Sequence, residues 1–445
     1  MSKTKHEVRD PIHSFVYYDN RERGIIDSWP FQRLRDVHQL GLAHFVYPSA
    51  RHTRFEHSLG VMHLAERIFD TITDPDNIRE EVREKFGDDL KGESRGYWRN
   101  VVKLAALCHD MGHLPFSHSA EEILSEGENH ETISRKLIES NYIKEILNRY
   151  APPVQSEIVV KLALGPKELK TRFTAWEELL AEIVTGDAFG ADRIDYLLRD
   201  SYHIGVPYGH FDHIRLIDSL RILPYPAADD LSVSKDSIKF GLGVDEGGLR
   251  TVEGLLLARY HMYNQVYFHP IVKAYELHLI DFMKKMFEVK KLSDIDTFLE
   301  YSDGDVYSEI CRARYNTKHP GHYFASLILN RNHFKPLYIR NKNEDPNAID
   351  ILQGMMESEF SKDKFRVFDR KPKRKGFDFP ILCDQTIKYA TDASDLLAII
   401  PPAGFQCIYI EASLLGKAKS WLVNNKEKLL EKSLDENKDV GEVKE

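Results

Sequence analysis

The stretch Leu107-Cys108-His109-Asp110-Met111-Gly112-His113-Leu114-Pro115-Phe116-Ser117-His118 decides how the rest of the chain is read. Three histidines and one aspartate fall within ten positions, directly after the apolar run Val101 to Leu107. Such a run predicts a buried helix, and Gly112 and Pro115 predict that it ends or bends here. A helix that delivers imidazoles and a carboxylate at its end, inside a protein, can form one wall of a metal site. His113 follows His109 by four residues, so the two share a helix face if the helix continues. Gly112 and Pro115 offer the alternative of a loop carrying His113 and His118.

Metal sites draw imidazole and carboxylate ligands from separate elements. Two further clusters qualify. Arg54-Phe55-Glu56-His57 places a histidine at the start of a helix, and Ala191-Asp192-Arg193-Ile194-Asp195-Tyr196 places Asp192 late in another. Each cluster alone has a plainer reading. His57 could be a buried histidine bonded to a carbonyl, His109-Asp110 a polar pair at a helix end, and Asp192 a salt-bridge partner of Arg193 or Arg199. In order along the chain they read as His…His-Asp…Asp, a ligand set that leaves coordination positions open for water and phosphate.

Bulk properties bound the setting. The chain has 445 residues, enough for one large domain and a smaller one. A net charge of -9 argues against a general nucleic-acid coat. The four cysteines, Cys108, Cys311, Cys383 and Cys407, have no CxxC spacing, which fits a reducing cytoplasm better than a disulfide scaffold. No run approaches a membrane span, and the N-terminus carries no apolar signal core.

Periodicity predicts an extended segment over 8–19 and helices over 31–40 (with Gly41 as C-cap), 55–72, 119–125, 130–149, 155–163 and 176–200. Residues 74–98 read as a charged loop with a helical piece, and 230–243 as a surface hairpin. Helix resumes over 247–289 and 292–315. After about residue 330 short runs at Pro336–Arg340, Phe365–Phe368, Leu396–Ile400 and Gln406–Ile410 suggest strands, with helical pieces at 346–359 and 414–430. The expectation is a mainly α protein: a helical body over 1–330, a small α+β lobe over 331–430, and a charged flexible tail over 431–445. The basic run Arg370 to Lys375 reads as a solvated loop.

Several stretches go beyond a metal quartet: Asp10-Pro11-Ile12-His13, Phe31-Gln32-Arg33-Leu34-Arg35, Gln39-Leu40-Gly41, Arg54 to Gly60, Cys108 to His113 with Pro115 to His118, and Asp192, Asp195-Tyr196 and Arg199-Asp200. On these residues, between Asp10 and His269, the chain resembles the HD-domain deoxynucleoside triphosphate triphosphohydrolases (dGTPase-like). It resembles in particular the branch that includes a vertebrate sterile-alpha-motif-linked enzyme and its bacterial relatives. The resemblance implies an HD-domain helical body in which His57, His109, Asp110 and Asp192 bind a divalent ion (Mn, Mg, Fe, Ni or Zn). It implies His113, His118 and His130 around the scissile phosphate, with Glu121 or Glu131 able to orient an imidazole. It further implies Gln39 and Asp200 on the sugar 3′-hydroxyl, and Leu40 filling the space of a 2′-hydroxyl. Tyr196 and Tyr267 would flank sugar or base, and Arg54, Arg193, Arg259 and His269 would hold the triphosphate. Asp27, Gln32 and Arg35 match positions that serve a regulatory nucleotide in some members. A homo-oligomer, tetramer or dimer, is implied as well.

The match has departures. Arg193 stands where lysine is common, Tyr263 and Pro270 where a relative has His and Lys, and His6 where lysine would serve a regulatory site. The expected function is metal-dependent hydrolysis of a dNTP at the α-phosphorus, giving deoxynucleoside and triphosphate. The alternatives are an HD phosphohydrolase on another nucleotide or a nucleic-acid end, and a non-catalytic nucleotide sensor.

Overall fold

The computed structural model describes residues 5–226, 238–287, 292, 294–372 and 378–425. The chain is mainly helical and forms two compact units. The first comprises Met1–Met262, Val289–Asp305 and Lys375–Pro401, and the second Tyr263–Glu288, Val306–Arg374 and Pro402–Glu445. This partition does not follow a boundary at 330/331. Pro380–Cys383 pairs in parallel with Ile238–Asp245 and so belongs to the first unit. Pro270–Met286 belongs to the second, where Ala274 packs with Leu327, Phe334, Cys407 and Tyr409, and the Tyr409 hydroxyl donates to the Pro270 carbonyl at 2.9 Å.

The first unit begins with an antiparallel hairpin, Lys5–Asp10 against Ser14–Asp19. Its centre is the Arg54–Ile72 helix, started by a capping box in which Thr53 and Glu56 exchange side-chain-to-backbone bonds. Phe55, Leu59, Val61, Met62, Leu64, Ile68, Phe69 and Ile72 of this helix are all buried. Each contributes about 1.5–3 kcal/mol of transfer free energy. The Gly92–Cys108 helix and the Ala191–Ile204 helix pack on it. A four-stranded sheet, ordered Leu220–Pro226, Ile238–Asp245, Pro380–Cys383, Thr386–Tyr389, completes the unit. The second unit has a three-stranded antiparallel sheet with Phe405–Ile410 between Lys335–Ile339 and Phe365–Arg370. Ile349, Leu352 and Met356 of the Ala348–Glu357 helix pack with Phe365, Ile408 and Ile410. No described helix is long and apolar enough to cross a membrane.

Several elements differ from the sequence expectation. The helix over 31–40 stops early: Val37 is extended, and its carbonyl accepts the Arg54 N–H while His38 bridges Thr53. The helix over 176–200 is two, Ala175–Thr185 and Ala191–Ile204, so Asp192 sits in a first turn rather than near a helix end. The break falls between Gly186 and Gly190, both helix-terminal residues with extended ψ. Leu396–Ile400 is not a strand; Asp395–Ile399 is a short helix capped by Ser394. The hairpin is Leu220–Pro226 with Ile238–Asp245; residues 230–237 lie outside the described residues, as do the tail 431–445 and Lys373 to Lys375.

Candidate metal centre

Three elements bring the clusters together, and two glycines permit the approach. A Cβ on Gly60 would lie 2.0 Å from Asp195 Oδ1 and 2.5 Å from Arg199 Nη2, so the Arg54–Ile72 and Ala191–Ile204 helices meet only because it is absent. A Cβ on Gly112 would lie 2.2 Å from the His130 carbonyl and 2.3 Å from the Ser134 nitrogen. The Gly112 N–H instead donates to Ser134 Oγ, which donates to the His109 carbonyl. The turn after His109 is thereby locked onto the His130–Ile138 helix.

Asp110 lies at the middle of the cluster. Its carboxylate oxygens are 3.6 Å from His57 Nε2, 3.4 Å from His109 Nε2, 3.2 Å from His113 Nε2 and 2.5 Å from Arg54 Nη1. Asp192 Oδ1 lies 3.1 Å from His57 Nε2 and 3.7 Å from His109 Nε2. Ligand atoms of His57, His109 and Asp110 are all within 4.8 Å of one another, as are those of Asp110, His113 and His130.

The donor set fits a divalent ion. His57 Nδ1 is bonded to Asp195 Oδ2 at 2.8 Å, and His109 Nδ1 to the Ala106 carbonyl at 2.7 Å. Both Nε2 atoms are thus turned toward Asp110 and Asp192, the tautomer a ligating histidine needs. His109 Nε2 is buried and has no hydrogen-bond partner among the described residues. Burial alone would push the His57 imidazole down, but Asp192, Asp195 and Asp110 push it up to about 10. Burial raises the Asp192 carboxyl, yet the neighbouring imidazoles of His109 and His57 bring it below its ordinary value. A field so rich in carboxylate favours a bound cation.

His113 is not on the helix of His109, because that helix ends at Cys108. It stacks on His130, with ring centroids 3.9 Å apart at 15°. Burial, then Arg54 and His130, push the His113 imidazole well below its usual value. His130 goes up: burial opposes this, but bonding to Glu121 and the charge of Glu131 outweigh it. His118 lies on the Ser117–Ile123 turn, and its side chain is outside the described part of the structure.

The other expected site residues fall as follows. The Gln39 N–H donates to the His52 carbonyl at 3.0 Å, and His52 Nε2 bonds Asp200 Oδ1 at 2.7 Å, so Gln39 and Asp200 are linked through one residue. Gln39 Oε1 is buried without a hydrogen-bond partner among the described residues. Leu40, Arg193, Tyr196 and Arg259 are half-buried in the first unit. Arg54 bonds Ser117 Oγ as well as Asp110. Tyr267 and His269 belong to the second unit, where His269 Nδ1 accepts the Ile271 N–H. Asp27 pairs with Arg23, Gln32 bonds the Ile26 carbonyl and Arg35, and Arg35 lies over the Phe55 ring.

Sequence reasoning assigned no role to Asp195, which is fully buried and bonds His57, His13 and both Nε and Nη2 of Arg199. Arg199 also bonds Asp10 at 2.8 Å, so it is a partner of Asp195 rather than of Asp192. The spacing Asp192, Asp195, Arg199 on one helix was the available signal. His52 carried no such signal.

This is the architecture of an HD domain, and the chain belongs to the HD-domain family. The HD domain itself matches residues 54–199, and the HD associated region matches residues 211–360. An uncharacterized protein of Methanocaldococcus jannaschii is 31% identical over 407 residues, 89% of this chain and 76% of that protein. A solved hypothetical protein from Aquifex aeolicus is 35% identical with a TM-score of 0.75, covering 94% of this chain and 100% of that one. A Dictyostelium discoideum homolog of the deoxynucleoside triphosphate triphosphohydrolase SAMHD1 is 30% identical over 66% of this chain, which spans 51% of that relative.

Proposed function

We propose that the protein is a metal-dependent dNTP triphosphohydrolase, releasing deoxynucleoside and inorganic triphosphate. The observation that carries this reading is the convergence of two imidazole Nε2 atoms, Asp110 and Asp192 beside the His113–His130 stack. His57, His109, Asp110 and Asp192 hold the ion. When bound, a divalent ion polarises a phosphoryl oxygen and lowers the pKa of its water. His113 and His130 bond the phosphate oxygens, with Glu121 and Glu131 orienting His130, and His118 serves the leaving 5′-oxygen. Arg54, Arg193, Arg259 and His269 neutralise the triphosphate, with Arg54 bonding Asp110 as well, and arginine forks suit phosphate geometry. Gln39 and Asp200 bind the 3′-hydroxyl, Tyr196 and Tyr267 flank the sugar or base, and Leu40 excludes a 2′-hydroxyl. A regulatory nucleotide near Asp27, Gln32 and Arg35, and a homo-oligomer, complete the proposal.

The Dictyostelium discoideum relative named as a triphosphohydrolase homolog supports the substrate class, and an HD phosphohydrolase of another nucleotide is the competing outcome. The test is incubation with each dNTP and Mn²⁺ or Mg²⁺, with products resolved by anion exchange. Triphosphate plus deoxynucleoside is expected, and the reaction is absent in Asp110→Ala. Monophosphate or pyrophosphate as the only products would overturn the reading.

A further inference from the structure

Leu114 to Ser117 forms a turn that ordinary residues resist. Phe116 and Ser117 both have positive φ, 59° and 62°, and neither is glycine. Consecutive left-handed residues persist only where surrounding contacts over-determine them, and they cluster where function needs them. The turn lies between His113 and the Ser117–Ile123 segment, and its Ser117 Oγ accepts from Arg54, which also bonds Asp110 of the candidate metal centre.

What holds it comes from far along the chain. Asp303 is 3% exposed, and its Oδ1 accepts the Phe116 N–H at 2.6 Å across 187 residues. Its Oδ2 accepts the His38 backbone N–H at 2.9 Å, across 265 residues, and also meets the His38 ring Nδ1. His38 directly precedes Gln39 and Leu40, and its carbonyl accepts from Ser117 Oγ. Arg33 adds a second clamp: it stacks on Phe298, with Nη1 donating to the His113 carbonyl and Nε to the Tyr301 carbonyl. One carboxylate therefore ties the turn beside the phosphate-side imidazoles to the segment proposed to read the sugar.

We propose that Asp303 is a positioning residue, whose carboxylate sets the spacing between the 113–118 turn and the 38–40 segment. It acts through the Phe116 and His38 backbone amides and the His38 ring. The catalytic consequence rests on the function proposed above, whereas the structural one does not. Misplacing reacting groups by about an ångström is enough to cost about 10²-fold in rate.

The test compares Asp303→Asn, Asp303→Ala and Asp305→Asn in the full-length protein. Asn keeps one acceptor oxygen and so serves one amide but not both. Asp305 is the control: it accepts from the Ser302 N–H and Oγ in the same segment and bonds neither the turn nor His38. Hydrogen exchange over 113–118 is expected to speed up at least tenfold in both Asp303 variants, with the Arg54–Ile72 helix unchanged. With dNTP, Asp303→Ala is expected to lower kcat about 10²-fold with KM within about threefold, and Asp303→Asn less. Asp305→Asn should leave both readouts unchanged. Unaltered exchange in the Asp303 variants overturns the proposal, as does an equal loss in Asp305→Asn, which would reduce the effect to segment stability. If Asp303→Ala fails to fold, Asp303→Asn carries both readouts. If the wild type releases no triphosphate, the proposed function falls and the exchange comparison alone decides the positioning.

Discussion

His57 and His113 approach the two oxygens of the same Asp110 carboxylate, at 3.6 and 3.2 Å, yet their environments drive them in opposite directions. His57 is surrounded by anions: Asp110, Asp192 and Asp195 raise it to about 10 against the pull of burial. His113 is enclosed with Arg54 and His130, which add to burial and push it well below its usual value against the pull of Asp110. One residue type and one shared carboxylate thus serve two roles, chosen by the field of the next residues out. Environments that push like groups apart are the usual way an active site divides its labour. The anionic half suits a cation, and the stacked half, with Arg54 and the raised His130 beside His113, suits a phosphate.

The most damaging change is the one that removes the shared anchor. Asp110→Asn should eliminate tight metal binding and lower turnover by about 10³-fold, the worth of several kcal/mol of lost electrostatic stabilisation. Metal content by elemental analysis and triphosphate release check the two halves separately. Retention of both would dissolve the comparison.

Glu121→Gln acts on one half alone. It removes the charge that bonds His130 while leaving His57, His109, Asp110 and Asp192 untouched. We expect kcat to fall by about 10²-fold with metal affinity unchanged. A parallel loss of metal would mean that the halves are not separable.

Asp195→Asn is the mirror experiment. Asp195 sets the orientation of His57 through Nδ1 and is itself fixed by Arg199 and His13. Replacing such an outer partner typically weakens metal affinity about 10–100-fold. At saturating metal, turnover should return to within about threefold of wild type. A kcat defect that metal does not rescue would place Asp195 in the chemistry instead of behind it.

These residues also separate what the sequence makes legible from what it hides. His57, His109-Asp110 and Asp192 each lie in a local cluster with its own helix signals, so the quartet can be assembled before any coordinates. Asp192 falls in a first turn rather than late in a helix because Gly186 and Gly190 end one helix and begin another. The expected helix through 31–40 yields at Val37 to partners beyond residue 50. Asp303 is invisible in the sequence, since nothing local ties it to amides 187 and 265 residues away. The separation of the two units was obscured for the same reason: Pro380–Cys383 pairs with a strand that comes far earlier in the chain.

A buried carboxylate with no imidazole beside it supplies the reference point for both halves. Glu182 accepts the Leu242 N–H at 2.8 Å, outside the metal cluster. Burial raises it to about 7; the Leu242 bond and Lys167 pull it down, while Glu178 and Asp187 reinforce the rise. Its folded pKa therefore exceeds its unfolded value of 4.5, so the native state prefers the protonated form. The associated stability is fully present below pH 4.5 and is lost as pH rises through about 7. A shift of this size corresponds to at most about 3 kcal/mol. Glu182→Gln cannot ionise, so its Tm relative to wild type should climb across that window and level off above it, with kcat unchanged. A Tm difference that stays flat with pH would show that burial does not raise Glu182. The downward push that burial gives both His57 and His113 would then need another cause, and their neighbours alone would set them apart.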